Sequence, residues 1–105
     1  MTTKKKSEAM KFLEKLAGEE LTLSSLLTAI RQGEEMSRVE FAKLLGVSRQ
    51  YLCDTEYGRR TVSPKSAAAF AKKLEYSPQQ FVRLCLQDLV NRDGLKLKID
   101  VQDAA

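Results

Sequence analysis

The chain has 105 residues, a formal net charge of +4 and a pI of about 9.2, and 43% of its residues are hydrophobic. This length accommodates one hydrophobic core, and the mild basicity is compatible with a polyanionic partner without identifying one. Because the chain has no histidine and only two distant cysteines, Cys53 and Cys85, it offers neither a usual Cys/His metal site nor a recognisable catalytic set, so we expect no cofactor, no metal and no enzymatic activity.

The first 21 residues are predicted to form a basic tail followed by a short helix. Lys4, Lys5 and Lys6 could contact phosphates, but three charges are few and we favour a solvated tail. The predicted helix at residues 7–17 could cover the core, extend a dimer contact or bind a partner. No apolar run suits a signal peptide or a membrane span, so we expect the protein in the cytoplasm.

Two helices are predicted next, each with a capping residue at its start. Thr22 is expected to cap the first, and Ser37 and Glu40 have the spacing of a capping box for the second. Gly46 is placed to end the second helix, since glycine adopts positive φ without steric cost. The apolar positions that these two helices are expected to bury are Leu23, Leu26, Leu27, Ile30, Val39, Phe41, Ala42, Leu44 and Leu45.

A further short helix is predicted directly after a tight turn. Val47 is expected to lie between the two helices as a buried wedge, Ser48 to cap the new helix and Gly58 to end it. Polar side chains then cluster at its front, where Arg49 matches guanine O6/N7 and Gln50 matches adenine N6/N7. Two short helices joined in this way are typical of a helix-turn-helix motif, whose second helix reads the major groove of DNA.

Two more helices are predicted from the pairs Ser63-Pro64 and Ser77-Pro78, each a cap followed by proline at the first helical position. Gln80 is expected to complete a capping box with Ser77. The last helix, at about residues 78–91, carries more apolar residues than one core face requires. We expect a second subunit to cover the excess, although the N-terminal helix could also do so. The two apolar stripes are Phe81, Leu84, Cys85 and Leu89, and Val82, Leu86 and Val90.

The C-terminal segment, residues 93–105, has a different pattern. After Gly94, apolar residues from Leu95 to Val101 alternate with charged residues, and this period of two predicts a β-strand. The strand could pair with its copy across a dimer axis, or add to a sheet of another protein.

Residues 22–82 resemble the bacterial and phage repressor family of helix-turn-helix domains, the XRE/Cro-type group that includes the lambdoid phage repressors and many antitoxins. The resemblance rests on AIRQGEEMSRVEFAKLLGVSRQYLCDTEYGRR, SPKSAAAFAKKL and EYSPQQFV. It implies an all-α fold, a five-helix lambda-repressor-like domain at residues 22–92. This chain departs from the family pattern in two places. Arg38 replaces a Gln that usually contacts a phosphate, and Thr55 replaces Ile or Leu, which predicts a less firmly packed recognition helix.

The resemblance and the residue chemistry together predict a DNA-contacting set. We expect Ser48 and Arg38 to hold phosphates, while Arg49 and Gln50 read bases. Tyr51 could contact the backbone or a thymine methyl. Asp54 is unusual on a base-facing surface because it repels phosphate and can only accept hydrogen bonds from cytosine N4 or adenine N6. The complete predicted set is Arg38, Ser48, Arg49, Gln50, Tyr51, Asp54, Arg59 and Arg60, with the last two on phosphates.

Three functions remain open from the sequence. The first is a homodimeric, sequence-specific DNA-binding repressor of its own operon, which binds a palindromic operator in double-stranded DNA at the nucleoid. The second is the antitoxin of a toxin–antitoxin pair, in which the N-terminal helix or the C-terminal strand also neutralises a toxin protein. The third is a protein-interaction domain that has lost DNA binding, a reading suggested by Asp54 and Thr55.

Overall fold

The computed structural model describes residues 21–104, and these form five α-helices and no strand. The predicted all-α, five-helix domain is therefore confirmed in this part of the chain. The chain divides after Arg60 into two compact units. The predicted basic tail and N-terminal helix lie outside the described residues. The helices are α1 (Leu23–Gly33), α2 (Arg38–Leu45), α3 (Arg49–Glu56), α4 (Pro64–Leu74) and α5 (Pro78–Arg92).

The helices begin at the predicted capping residues, whose side chains each accept a hydrogen bond from the backbone N–H three residues later. Ser37 and Glu40 form the full capping box, and hydrogen bonds from the backbone and side chain of Ser37 hold the pKa of the Glu40 carboxyl below its ordinary value. The second box, predicted for Ser77 and Gln80, is only half formed. The Gln80 side-chain oxygen instead accepts from Arg83, at 3.2 and 3.1 Å, because this cation lies one turn further along α5.

The first unit is organised around α3, which packs against both α1 and α2. Gly46 ends α2 at a φ of +78°, in the left-handed region where glycine is favoured. The sharp turn that follows directs α3 back across the other two helices. The apolar residues buried in this unit are Leu21, Leu23, Leu26, Leu27, Ile30, Phe41, Ala42, Leu45 and Leu52.

Three predicted core positions in and after α2 are not buried. Val39 and Leu44 are 47% and 41% exposed, and Val47 is half-buried rather than a buried wedge. The reason is geometric: a helix of eight residues turns one narrow face to the core, and Phe41, Ala42 and Leu45 already occupy that face. An apolar residue in a short helix therefore does not have to face inward.

Thr55, which stands where the resembled family has a larger aliphatic residue, is a buried part of α3 and is only 2% exposed. Its hydroxyl donates to the Tyr51 carbonyl at 2.8 Å, so the hydrogen-bonding need of this buried hydroxyl is met inside its own helix. Such backward bonds are slightly unfavourable for helix geometry.

Replacing Thr55 by Val should therefore raise the free energy of unfolding by about 0.5–1 kcal/mol, since it removes a buried hydroxyl and leaves the side-chain shape nearly unchanged. Urea denaturation would measure the change, with Thr55→Ala as the matched cavity-forming control, which should lose about 1–2 kcal/mol. A clear loss of stability in Thr55→Val would mean that the hydrogen bond from the hydroxyl to the Tyr51 carbonyl stabilises the folded protein.

The second unit consists of α4 packed on α5, followed by the C-terminal segment. Cys85 is buried, its thiol donates to the Val62 carbonyl at 2.8 Å, and burial raises the pKa of that thiol. The first predicted stripe of α5 is buried except for Leu89, which is 38% exposed, and the second stripe is half-buried. The residues buried in this unit are Val62, Ala67, Phe70, Ala71, Leu74, Phe81, Leu84 and Cys85.

The strand predicted in the C-terminal segment is not formed in residues 93–104. Two glutamine side chains of α5 instead form hydrogen bonds with backbone groups of this segment. The Gln87 amide donates to the Leu97 carbonyl and accepts from the Ile99 N–H, both at 2.8 Å, and Gln79 donates to the Val101 carbonyl at 2.6 Å. A strand requires a neighbouring strand for its backbone groups, and no described residues offer one. The Gln87 amide therefore bonds two of the backbone groups that a neighbouring strand would otherwise bond.

Replacing Gln87 by Ala is expected to release this segment from α5, because two backbone groups lose their partner. At about 1 kcal/mol for each hydrogen bond, amide hydrogen exchange at Ile99 should accelerate by roughly tenfold or more. Gln102→Ala, in the same segment but without such bonds, is the matched control. Equal rates of amide exchange at Ile99 in the Gln87→Ala variant and in the original chain would show that Gln87 does not hold this segment on α5.

Candidate nucleic-acid interface

The front of α3 presents the residues predicted to read bases. Ser48 caps the helix by accepting from the Tyr51 N–H at 3.0 Å, which places Arg49 and Gln50 in the first turn. Both side chains are exposed. A guanidinium and a carboxamide at the exposed start of a short helix have the donors and acceptors needed at the edges of purines.

Arg49 and Gln50 differ in how they are held. Within residues 21–104, the Arg49 side chain makes no hydrogen bond, ion pair or ring contact. The Gln50 amide, in contrast, donates through Nε2 to Asp54 Oδ1 at 2.9 Å. Arg49 therefore keeps its rotamer freedom, whereas Gln50 is held one turn along the same face of α3.

Asp54 also binds the first of the two arginines that follow α3. Arg59 Nε and Nη2 each lie 3.2 Å from Asp54 Oδ1, and the Arg59 backbone N–H donates to the Asp54 carbonyl at 2.8 Å. Gly58 makes this possible with a φ of +74°, which turns the chain back over the helix it has just ended. Gln50, Asp54 and Arg59 thus form one hydrogen-bonded group, which we call the Asp54 cluster.

A second charged group lies beneath this surface. Glu56, whose side chain is only 2% exposed, accepts from Arg31 at 2.8 and 3.1 Å and from Arg38 Nε at 3.1 Å. The hydrogen bond to Glu56 raises the pKa of the Arg38 guanidinium above its already high value. We call Arg31, Arg38 and Glu56 the Glu56 cluster. It joins the start of α2 to the ends of α1 and α3, and so fixes Arg38 relative to the recognition helix.

The rings of two tyrosines contact three of the predicted arginines. The Arg60 guanidinium lies 4.3 Å from the centroid of the Tyr51 ring, and those of Arg38 and Arg59 lie 5.3 and 5.0 Å from the Tyr57 ring. These distances are within the range of cation–π attraction, which orients a guanidinium while leaving donors free. Three of the four predicted cationic residues are thus pre-positioned in the DNA-free protein.

All eight predicted site residues lie in the first unit, between α2 and the turn after α3. A protein-family model described as Helix-turn-helix matches residues 27–81, just over half of the chain. The chain belongs to the helix-turn-helix family. The XRE/lambda-repressor-like resemblance is thereby confirmed, and with it a DNA-binding regulator in general terms, in a family that is generally non-enzymatic. No curated protein and no solved structure gives a significant match.

The sequence analysis did not identify three residues that hold the predicted arginines or organise the site: Arg31, Glu56 and Tyr57. A signal for Glu56 was present, because it follows the buried Leu52 by four residues and so faces the same way along α3. A carboxylate in that position needs cationic partners.

Within residues 21–104, none of the helices is long and apolar enough to cross a membrane, and no cluster of three or more potential metal ligands occurs.

Proposed function

We propose that this helix-turn-helix protein is a sequence-specific repressor of its own operon, which acts as a homodimer on a palindromic operator. The observation that carries the proposal is the placement of Arg49 and Gln50, both exposed in the first turn of α3, in a member of a DNA-binding family. The start of a recognition helix is the part that meets base edges in the major groove. The protein would repress by occupying an operator that overlaps its promoter.

The contacts divide by chemistry into base readout and backbone positioning. Arg49 would bind guanine and Gln50 adenine, and each bidentate contact contributes about 1–3 kcal/mol of discrimination. Ser48, with a hydroxyl proton free to donate, would bind a phosphate beside the helix start. The flanking residues Arg38, Tyr51, Arg59 and Arg60 would set the register of the helix on the backbone without reading sequence.

The dimer is supported by apolar surface in the second unit. Leu89, Leu95 and Leu97 are 38%, 50% and 58% exposed, and the second stripe of α5 is half-buried. A second subunit would cover these apolar side chains. In a two-fold dimer, each recognition helix would read one half-site about 34 Å from the other. Sedimentation at micromolar concentration should give a dimer.

The test of the proposal is binding to DNA from upstream of the protein's own gene, with random DNA as competitor and at two salt concentrations. We expect a complex that survives the competitor, with a two-fold symmetric footprint that overlaps the promoter. Complexes of equal strength on random DNA would contradict sequence-specific regulation.

The exposed leucines also favour a second candidate, the antitoxin, in which a toxin protein would cover them. The two candidates differ in solution. An antitoxin whose exposed leucines are covered by the toxin would bind its operator weakly alone. It would bind the operator more tightly after the toxin protein is added. A self-sufficient dimer would show no such dependence, so operator titrations with and without the product of the adjacent gene would separate the two candidates.

Arg60, stacked on Tyr51, is expected to contact a phosphate. Arg60→Ala should weaken binding by a similar factor on every sequence and reduce the slope of log affinity against log salt by about 1, because one fewer counterion is released. The matched control is Arg92→Ala at the end of α5, which should leave the slope unchanged. An Arg60→Ala loss confined to one operator sequence would assign Arg60 to base readout instead.

A further inference from the structure

The Asp54 cluster joins a residue proposed to read bases to one proposed to contact phosphate. Asp54 is 28% exposed, and its Oδ1 atom accepts both from Gln50 Nε2 at 2.9 Å and from Arg59 at 3.2 Å. Oδ1 is thus committed to two side chains of the protein itself, and only Oδ2 would remain to accept a hydrogen bond from a base. The position of Asp54 therefore suggests an indirect role.

The bond to Gln50 decides how that amide is oriented. A glutamine amide can be turned over by half a rotation, which exchanges its donor and acceptor ends. A carboxylate can only accept, so Asp54 selects the orientation in which Nε2 faces it. Gln50 then retains one N–H and its carbonyl oxygen, which are the donor and the acceptor needed for adenine N7 and N6.

Arg59 completes the arrangement by offsetting the charge of Asp54. An unpaired carboxylate on a DNA-facing helix would repel phosphates, but the guanidinium binds it through Nε and Nη2. The same guanidinium lies against the Tyr57 ring, which restricts its movement. Asp54 can therefore remain ionised beside DNA at a reduced electrostatic cost.

We infer that Asp54 is a positioning residue, which holds the Gln50 amide in the orientation that selects adenine and does not itself read a base. The inference rests on the proposed function, since it assumes that α3 enters the major groove. It explains why a carboxylate stands on the recognition helix of a DNA-binding protein, and it makes base preference at one position depend on two residues a helical turn apart.

The test is a double-mutant cycle on the operator found by footprinting. The base pair read by Gln50 is first located as the position at which Gln50→Ala loses its preference. Asp54→Ala should lose preference at this same base pair, by about tenfold, which is the discrimination of one good bidentate contact. In the Gln50→Ala background, Asp54→Ala should then cause no further loss there, because no amide is left to orient.

Other roles for Asp54 give different results, each of which would overturn the inference. If Asp54 read a base directly, Asp54→Ala would change the preference at a different base pair and the two substitutions would add. If Asp54 only repelled phosphate, Asp54→Ala would raise affinity on all sequences and leave every preference unchanged. Asp54→Asn keeps an acceptor for Gln50 without the charge, so most of the preference should return in this variant.

Two controls separate this inference from the proposed function and from misfolding. If the original chain shows no base preference, the proposed function fails; if it shows one that Asp54→Ala leaves intact, only the positioning role fails. In DNA-free protein, the Gln50 side-chain amide signals in an NMR spectrum should move toward those of a solvated amide in Asp54→Ala. An unchanged Gln50 signal in a folded Asp54→Ala variant would also overturn the inference.

Discussion

Replacing Glu56 by Gln is expected to lower the free energy of unfolding by about 3 kcal/mol, because it breaks a buried ion pair by removing one partner. Arg31, whose side chain is only 12% exposed, would lose the carboxylate that accepts its hydrogen bonds at 2.8 and 3.1 Å. The substituted amide has one acceptor oxygen, and its NH₂ group would face a guanidinium. The size of the side chain does not change, so the loss would report the charge and not a cavity.

Urea denaturation at neutral pH would measure this loss. The matched control is Glu34→Gln, the same chemical change outside the Glu56 cluster, which should alter stability by less than about 0.5 kcal/mol. Losses of equal size in the two variants would mean that the buried ion pair contributes no more to stability than the Glu34 carboxylate does. Replacing Arg31 by Met together with Glu56 by Leu should recover much of the stability, since well-packed apolar residues can substitute for a buried ion pair.

Replacing Arg49 by Lys is expected to abolish discrimination at one base pair of the operator and leave the salt dependence of binding nearly unchanged. The lysine keeps the positive charge, but it cannot present two parallel donors to guanine O6 and N7. Arg49→Ala should lose the discrimination and the charge together, so its affinity for the operator should fall by about 5- to 150-fold, equivalent to about 1–3 kcal/mol.

Competition titrations with operators substituted at each position would measure both effects. Arg92→Lys is the matched control, the same chemical change on α5 of the second unit, and it should leave every base preference intact. If Arg49→Lys matched the original chain at every base pair, Arg49 would be a phosphate contact and the assignment of guanine recognition would be wrong.

Arg49 differs from the other predicted cationic residues in how much side-chain entropy it would lose on binding DNA. Arg38, Arg59 and Arg60 are held by carboxylates and tyrosine rings before DNA arrives, so little side-chain entropy remains to be lost on binding. Arg49 is held by nothing in residues 21–104, so it must be ordered when it meets a base. The proposed contacts to the DNA backbone are thus pre-organised, while one of the proposed base contacts would form only on the complementary sequence.

The sequence by itself determined the five helices of residues 21–104 and where they start, because these depend on residues three or four apart. The Ser37–Glu40 capping box, the Ser48 cap and the left-handed Gly46 all follow from local chemistry, and the helical period identified most of the core. The position of Arg49 and Gln50 at the exposed front of α3 follows from the same local rules.

Only the tertiary structure decided which distant residues meet. Arg31 and Glu56 are 25 residues apart, and their pairing depends on how α1 and α3 pack. The C-terminal segment shows the same limit: alternation predicts which side chains share a face, but not whether another strand is available. The Gln87 amide bonds the backbone groups of Leu97 and Ile99 instead, because it lies within reach of them and residues 21–104 contain no neighbouring strand.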